Sequence, residues 1–204
     1  LPPLPPMPRR PGVAALQPRE VPREALAAEQ QRLACASALE GRDVCALWPT
    51  GDGKSQIYRL LLSEGRRVVY VGPLIALVQD QTQTTIRLDA LGGRGGGGGA
   101  LGGGGGGVLA AVALGSAATD PSHAYMSTVL GRVALTAMCP ESFVTHAANI
   151  FWLDERLRAA QQPPLIIVVD EVHAAVAWQA WREACFRMWP LLEVGRGGGV
   201  RPAL

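Results

Sequence analysis

A glycine-containing turn that ends in Gly53-Lys54-Ser55 constrains the fold of this chain more than any other feature of its sequence. Residues 43–48 before the turn have the composition of a strand, and residues 54–64 after it have the composition of a helix. Backbone N–H groups at the start of such a helix can surround a phosphate, because the helix dipole favours negative charge there. The order of strand, glycine turn and helix therefore predicts a phosphate-binding loop in an α/β fold.

The residue types in this loop suit a nucleoside triphosphate and its metal ion. Lys54 is the only lysine among the 19 basic residues, and its compact ammonium can reach the terminal phosphates. The Ser55 hydroxyl can coordinate Mg²⁺. Trp48 stands where the strict G-x-x-x-x-G-K-[ST] pattern has its first glycine, so a fortuitous turn at a helix start remains an alternative. The predicted nucleotide-binding residues of the loop are Thr50, Gly51, Gly53, Lys54 and Ser55.

A second motif follows the most apolar of the strand-like segments. Residues 165–169 form a continuous, largely β-branched run, which predicts a buried central strand of a parallel sheet. The run ends in Asp170-Glu171-Val172-His173, and acidic residues at the carboxyl end of such a strand face the phosphate loop. We therefore expect Asp170 to bind Mg²⁺ together with Ser55, and Glu171 to position or deprotonate the attacking water.

Each part of this acidic motif also has a simpler interpretation. Two adjacent carboxylates after a strand can form a solvated turn, and His173 can cap a helix. The two motifs together, in this order along the chain, favour an enzyme that hydrolyses ATP with Mg²⁺. Its predicted catalytic residues are Lys54, Asp170, Glu171 and His173.

Segments of strand composition alternate with segments of helix composition along the chain. Helices are predicted over residues 21–40, 54–64, 73–90 and 141–161, and further strands over residues 67–71, 108–114 and 132–137. Alternation of this kind predicts a doubly wound α/β lobe, in which a mostly parallel sheet is flanked by helices.

Three segments lack a pattern that would support folding. Nearly all of residues 92–107 are glycine, which predicts a disordered insertion without chemistry. Residues 1–20 are rich in proline and arginine, and residues 194–204 contain a glycine run, so both are predicted to be disordered. The predicted folded domain is residues 21–193.

Length and composition exclude several classes of protein. A chain of 204 residues fits one α/β domain. Its apolar stretches are much shorter than the roughly 20 residues that span a bilayer, and no secretory signal pattern opens it, so we expect a soluble protein without membrane contact. The cysteines lack metal-binding or disulfide spacing and are interpreted as reduced intracellular thiols. A net charge of +2 restricts any nucleic-acid contact to a local surface.

Several sequence blocks between about residues 31 and 181 resemble the RecQ-like DNA helicases. Gln31 is similar to the family's upstream glutamine, which reads the adenine edge, and residues 49–55 are similar to its nucleotide loop. Residues 72–81 resemble its P-L-x-x-L-x-x-D-Q motif, which lies along the bound strand and differs from the sequence that D-E-A-D RNA helicases carry there. Residues 139–141 resemble its P-E motif, and residues 170–173 resemble its D-E-x-H box.

The resemblance implies the first RecA-like lobe of an ATP-dependent DNA helicase that unwinds DNA in the 3′-to-5′ direction in recombination and repair. It implies ATP and Mg²⁺ as cofactors, single-stranded or forked DNA as substrate, and a second RecA-like lobe, which we expect to be missing from this chain. The DNA role and the glycine-rich insertion favour the nucleus. Gln31 joins the predicted nucleotide-binding residues. The predicted nucleic-acid contacts are Pro73, Gln79, Asp80, Gln81, Pro140, Glu141 and Trp178.

Some positions depart from the family's pattern. Asp52 occupies a position that is usually small and uncharged, and Ala27 and Ala28 replace an aromatic residue and an arginine, so weak nucleotide affinity is expected. Trp178 fits the family's aromatic-rich loop, and its alternative role is a core aromatic residue. Two other functions stay open: a truncated module that binds nucleotide or nucleic acid without turnover, and an unrelated P-loop NTPase acting on a metabolite, against which residues 72–81 argue.

Overall fold

The computed structural model describes residues 23–48, 53–92, 109–177 and 182–196, and it centres on a four-stranded parallel sheet. The strand order is β2-β3-β1-β4. The strands are β1 (Val68–Val71), β2 (Leu109–Ala113), β3 (Val133–Met138) and β4 (Ile166–Val169). The helices are α1 (Arg23–Leu39), α2 (Ser55–Ser63), α3 (Ile75–Gly92), α4 (Pro121–Val129), α5 (Pro140–Ala159), α6 (Val172–Ala177) and α7 (Glu183–Arg196), with a 3₁₀ turn at Gly115–Ala117. The predicted α/β architecture is confirmed.

The inner strands β1 and β3 are buried along their whole length. Neighbouring residues of a strand point to opposite faces, so β1 divides its side chains between two helical layers. Val68 and Tyr70 pack with side chains of α1 and α2, whereas Val69 and Val71 pack with side chains of α5 and α7. Helices therefore cover both faces of the sheet, as an all-parallel sheet requires.

Local sequence signals explain where several helices begin. Pro121 and Pro140 lie in the first turns of α4 and α5, where the fixed φ of proline suits the helix and its missing N–H removes no hydrogen bond. Asp120 caps α4, because its carboxylate accepts a hydrogen bond from the His123 N–H at 3.0 Å. Helix α5 thus begins close to the start of the helix predicted over residues 141–161, whereas α4 was not among the predicted helices.

Two sequence-based expectations about the sheet are wrong. Residues 43–48 form no strand in the structure, and Leu47 within them is 87% exposed. The strand expected at residues 165–169 forms as β4, but it lies at the edge of the sheet, and its residues are only half-buried. The composition of a segment indicates that it can form a strand, but it does not specify which strands it pairs with in the sheet. With residues 43–48 outside the sheet, no segment of the described chain pairs with the outer side of β4.

The predicted glycine-rich insertion and the predicted terminal segments lie outside the described residues, except for Gly92 at the end of α3 and residues 194–196 at the end of α7. The first helical residues, 21 and 22, of the predicted domain also lie outside them. Within the described ranges, no helix combines the length and the apolar character needed to cross a membrane.

Candidate nucleotide-binding site

The predicted phosphate loop meets helix α1 at Gly53. The φ of Gly53 is +75°, a left-handed conformation that glycine adopts without strain. A Cβ at this position would lie 2.6 Å from Gln31 Nε2, so the glutamine side chain lies directly against the glycine backbone. The structure thereby brings together two residues that the sequence assigned to the nucleotide, one from the upstream helix and one from the loop.

Lys54 and Ser55 stand at the start of α2. The Lys54 ammonium donates a hydrogen bond to the Trp48 carbonyl at 3.0 Å. This contact connects the two ends of the predicted loop, because residues 49–52 lie between them in sequence. The predicted nucleotide-binding residues Thr50 and Gly51 fall in that stretch and lie outside the described residues.

Asp170 extends the pairing of β4 with β1 by one residue, since its N–H donates to the Val71 carbonyl at 2.9 Å. Its side-chain Oδ2 accepts a hydrogen bond from the Tyr70 hydroxyl at 2.6 Å, and its Oδ1 accepts one from the Glu171 N–H at 2.8 Å. Burial, with the hydrogen bond to Asp170, raises the pKa of Tyr70 far above its ordinary value, so the phenol stays a donor. The carboxylate is therefore held from both sides.

The Asp170 side chain lies on the sheet face that α2 covers, and Lys54 and Ser55 stand at the start of that helix. Tyr70 pairs with Val168 across the two strands, and Asp170 follows Val168 by two positions, so all three side chains share one face. Helices α1 and α2 cover that face. The predicted metal ligands Ser55 and Asp170 thus lie on one side of the sheet.

Glu171 and His173 form the end of the acidic motif. The φ of Glu171 is +49°, a left-handed conformation that is uncommon for a residue with a side chain and is often found at functional sites. Its Oε2 lies 3.2 Å from His173 Nδ1, in a pair that carries opposite charges only when the histidine is protonated. Glu171 is one-third exposed and His173 mostly exposed, so both can contact a ligand or water.

The donor set of this site suits Mg²⁺ that arrives with a nucleotide. Among the described residues, no group of three or more His, Cys, Asp or Glu side chains is arranged to hold a metal ion. Mg²⁺ is usually bound by one or two carboxylates together with substrate phosphates, and it prefers oxygen ligands. The Ser55 hydroxyl and the Asp170 carboxylate are such ligands, so they fit a metal shared with phosphates better than a resident one.

Comparison with known proteins agrees with this geometry. The family model described as DEAD/DEAH box helicase matches residues 28–193, which is most of the chain. The chain belongs to the DEAD/DEAH box helicase family. It is 28% identical over 144 residues to the probable ATP-dependent DNA helicase RecS of Bacillus subtilis (strain 168), a match that covers 70% of this chain and 24% of that protein. The chain thus spans about a quarter of that relative's length. No solved structure matches it.

Helix α3 of this helicase-family chain carries three of the predicted nucleic-acid contacts. Gln79 and Asp80 are exposed, and Gln79 Nε2 donates to the Ala117 carbonyl at 3.4 Å. Gln81 is buried: its Oε1 accepts hydrogen bonds from the Tyr58 hydroxyl and, at 3.5 Å, from Arg59 Nη2. In the structure Gln81 therefore joins α3 to α2, while Gln79 and Asp80 are open to a ligand.

Arg182 links Glu141 and Pro73, two further predicted nucleic-acid contacts. The sequence did not reveal this link. Its Nε and Nη2 donate to the Glu141 carboxylate at 2.5 and 2.8 Å, and its Nη1 donates to the Pro73 carbonyl at 2.6 Å. The hydrogen bonds from Arg182 to its carboxylate lower the pKa of Glu141. Pro73 and Pro140 are themselves buried, and Trp178 lies outside the described residues. Arg182 therefore fixes the start of α3 against the start of α5, a role that no local pattern signals.

We expect Arg182→Ala to lower the free energy of unfolding by about 2 kcal/mol, because the half-exposed ion pair with Glu141 contributes up to about 1 kcal/mol and the buried Pro73 carbonyl loses a donor that contributes about as much. Denaturant unfolding at neutral pH measures the loss. Arg187→Ala is the matched control: Arg187 lies 3.8 Å from Glu183 in an exposed pair, which should contribute at most about 0.5 kcal/mol. Equal losses in the two variants would show that Arg182 has no special structural role.

The same contact predicts a pH dependence. Because the pKa of Glu141 is lowered in the folded state, the ionised carboxylate stabilises the fold above the ordinary glutamate pKa, and this contribution is lost as the pH falls through the lower folded-state value. The difference in unfolding free energy between the wild type and Arg182→Ala should therefore shrink in acid. A difference that stays constant down to the lowest pH at which the protein folds would contradict the assignment.

Proposed function

We propose that this chain is the ATP-binding lobe of a RecQ-like 3′-to-5′ DNA helicase, which binds Mg·ATP and completes its hydrolysis site when a second RecA-like lobe closes on it. The observation that carries the proposal is the contact of Gln31 with Gly53 on the same sheet face as Asp170. An adenine-reading side chain, a phosphate loop and a metal-binding carboxylate are the parts that ATP binding requires.

Each residue of the site has a distinct chemical role in this proposal. Lys54 neutralises the terminal phosphates, and Ser55 and Asp170 hold the metal ion. Mg²⁺, when bound, neutralises charge that develops on the phosphates. Glu171 orients the attacking water and accepts its proton, and His173, 3.2 Å from the Glu171 carboxylate, restricts that carboxylate to one direction.

The DNA part of the proposal is supported by two findings. RecS, a relative that covers most of this chain in alignment, is described as a probable ATP-dependent DNA helicase. Residues 72–81 carry the P-L-x-x-L-x-x-D-Q sequence that resembles the RecQ-like helicases, and Gln79 and Asp80 in it are exposed. Single-stranded or forked DNA, a role in recombination and repair, and a nuclear location belong to the same proposal and rest on that resemblance.

The second candidate is a module that binds nucleotide or nucleic acid without turnover. The described residues also favour this candidate, because they form one lobe, and RecQ-like helicases build their hydrolysis site between two lobes. The first candidate and a nucleotide-binding module both bind ATP, so nucleotide selectivity tests the feature that they share. ATP turnover that Glu171→Gln abolishes separates them.

We expect ATP to displace a fluorescent ATP analogue about tenfold better than GTP does, because Gln31 can pair with the adenine edge and one such interaction contributes about 1.4 kcal/mol. Gln31→Ala should remove this preference. Gln30→Ala is the matched control, since Gln30 is the neighbouring glutamine and is exposed. Equal displacement by ATP and GTP in the wild type, or loss of preference in both variants, would overturn the adenine-reading role.

A further inference from the structure

Tyr70 is the one polar side chain of β1, a strand whose other residues are all valine. It is fully buried, at 0% exposed. A buried phenol requires a hydrogen-bond partner, and the partner here is Asp170 Oδ2 at 2.6 Å. An aliphatic residue would fill the strand interior without such a requirement, so the tyrosine is explained better by what its hydroxyl contacts than by packing.

We propose that Tyr70 is a positioning residue that orients the Asp170 carboxylate for Mg²⁺; the inference rests on the proposed ATP-binding function. The Glu171 N–H holds Oδ1 alone, at 2.8 Å, and a carboxylate held at one oxygen can still rotate, because the terminal torsion of aspartate is broad. The phenol fixes the second oxygen. The remaining lone pairs of the carboxylate are then directed to one place, where Mg²⁺ or a water of its shell can be bound.

The position of the phenol is itself fixed by its neighbours. The Tyr70 ring packs against the Tyr58 ring, with centroids 5.5 Å apart and planes tilted by 54°. On its other side, a Cβ at Gly72 would lie 2.8 Å from Tyr70 Cε1 and 3.2 Å from Val78 Cγ2. Glycine at position 72 thus leaves the space that the ring edge occupies. Two independent features of the structure therefore keep the hydroxyl at Asp170.

Loss of the hydroxyl should weaken the binding of the metal and leave metal-free nucleotide binding unchanged. Partners that orient a metal-binding side chain typically contribute 10- to 100-fold to metal affinity, so we expect Tyr70→Phe to raise the Mg²⁺ concentration at half-saturation about tenfold. The affinity for the ATP analogue in EDTA should not change, because the Tyr70 hydroxyl donates to Asp170, whose proposed partner is the metal ion. The ring remains, so the thermal unfolding temperature should change little.

The test is a Mg²⁺ titration of the full chain at a fixed concentration of a fluorescent ATP analogue, with a parallel titration of the analogue in EDTA. Tyr58→Phe is the matched control: Tyr58 is equally buried, but its hydroxyl donates to Gln81 instead of Asp170, so the Mg²⁺ midpoint should stay at the wild-type value. Gly72→Ala provides a second route, because the added methyl displaces the ring. It should raise the Mg²⁺ midpoint in a folded protein that still carries the hydroxyl.

The outcomes separate this inference from the proposed function. An unchanged Mg²⁺ midpoint in Tyr70→Phe, with normal analogue binding, overturns the role of Tyr70 and leaves ATP binding in place. An equal loss of analogue affinity in Mg²⁺ and in EDTA shows that the phenol supports the fold, and it also overturns the role. A wild-type chain that binds the analogue in neither condition overturns the proposed function and, with it, the inference.

Discussion

Lys54→Ala is expected to lower the affinity for Mg·ATP about a hundredfold. Lys54 is the only lysine in the sequence, and its ammonium lies at the predicted phosphate loop, 3.0 Å from the Trp48 carbonyl. Loss of hydrogen bonds from a charged donor to phosphate oxygens costs about 3 kcal/mol, which corresponds to about two powers of ten in affinity. Titration of the wild type and the variant with a fluorescent ATP analogue measures the change.

Two further variants separate a specific contact from general electrostatic attraction. Arg32→Ala removes one positive charge from an exposed position of α1, beside Gln31, and should change the affinity less than about twofold, because exposed charges are screened by solvent and salt. Lys54→Arg keeps the charge but replaces a flexible point charge by a planar fork, so its affinity should be intermediate. If Lys54→Ala binds the analogue as the wild type does, the phosphate-loop assignment is wrong. If Arg32→Ala loses as much, the attraction is not specific to Lys54.

The sequence predicted the parts of the site that depend on short-range patterns. The glycine turn before a helical segment predicted α2 and its first residues, and the apolar run before Asp170 predicted a strand that delivers an acid to its carboxyl end. Parallel strands with helices on both faces then bring these ends to the same side of the sheet. The resemblance added Gln31, which the structure places against Gly53.

The sequence could not predict contacts between distant residues. Tyr70 and Asp170 are 100 positions apart, and Arg182 and Pro73 are 109 positions apart. Neither Tyr70 in a valine strand nor Arg182 between elements belongs to a motif, so only the pairing of β1 with β4 and the packing of α7 on α5 reveal their partners. Hydrophobic patterns also fail to specify strand neighbours, which is why β4 was expected at the centre of the sheet and lies at its edge.

The catalytic roles of Lys54, Asp170, Glu171 and His173 stay predictions, and the structure describes the surroundings of these residues in different detail. Asp170 has both oxygens engaged and a defined orientation. Glu171 has a left-handed backbone and a histidine partner, which is an arrangement suited to a fixed carboxylate. The effect of Glu171→Gln on ATP turnover tests whether this carboxylate serves hydrolysis.

The purified chain is expected to show no unwinding of forked DNA and at most a low ATP turnover that single-stranded DNA hardly stimulates. Unwinding by such motors requires two lobes that grip the strand in turn, and the described residues supply one. Hydrolysis is limited separately, because a transition-state arginine from a facing partner contributes about 10³ to 10⁵ in rate in related phosphoryl transfer. Steady-state ATP hydrolysis with and without single-stranded DNA measures this, beside a strand-separation assay on forked DNA.

Arg182 and Arg187, which follow the acidic motif, do not replace that partner. Arg182 is held by the Glu141 carboxylate and the Pro73 carbonyl, and Arg187 faces Glu183 on the surface of α7. Moving Arg182 to a phosphate would break three hydrogen bonds and separate the start of α3 from α5. In the proposed site, Lys54 and the metal ion would meet the charge that develops on the transferred phosphoryl group, and neither Arg182 nor Arg187 would add to it.

The Glu171→Gln variant makes the turnover measurement decisive. Glutamine keeps the size of the side chain but cannot accept the proton of the attacking water, so any residual turnover that belongs to this site should fall at least about a hundredfold, within the range typical for a general base. Glu183→Gln, which changes an exposed carboxylate of α7, should leave the rate unchanged. Residual turnover that survives Glu171→Gln comes from elsewhere, such as a contaminant. Strong DNA-stimulated turnover that Glu171→Gln abolishes would contradict the single-lobe interpretation, because the chain would then complete its own site. A rate that rises with the square of the protein concentration would identify a second copy of the chain as the missing partner.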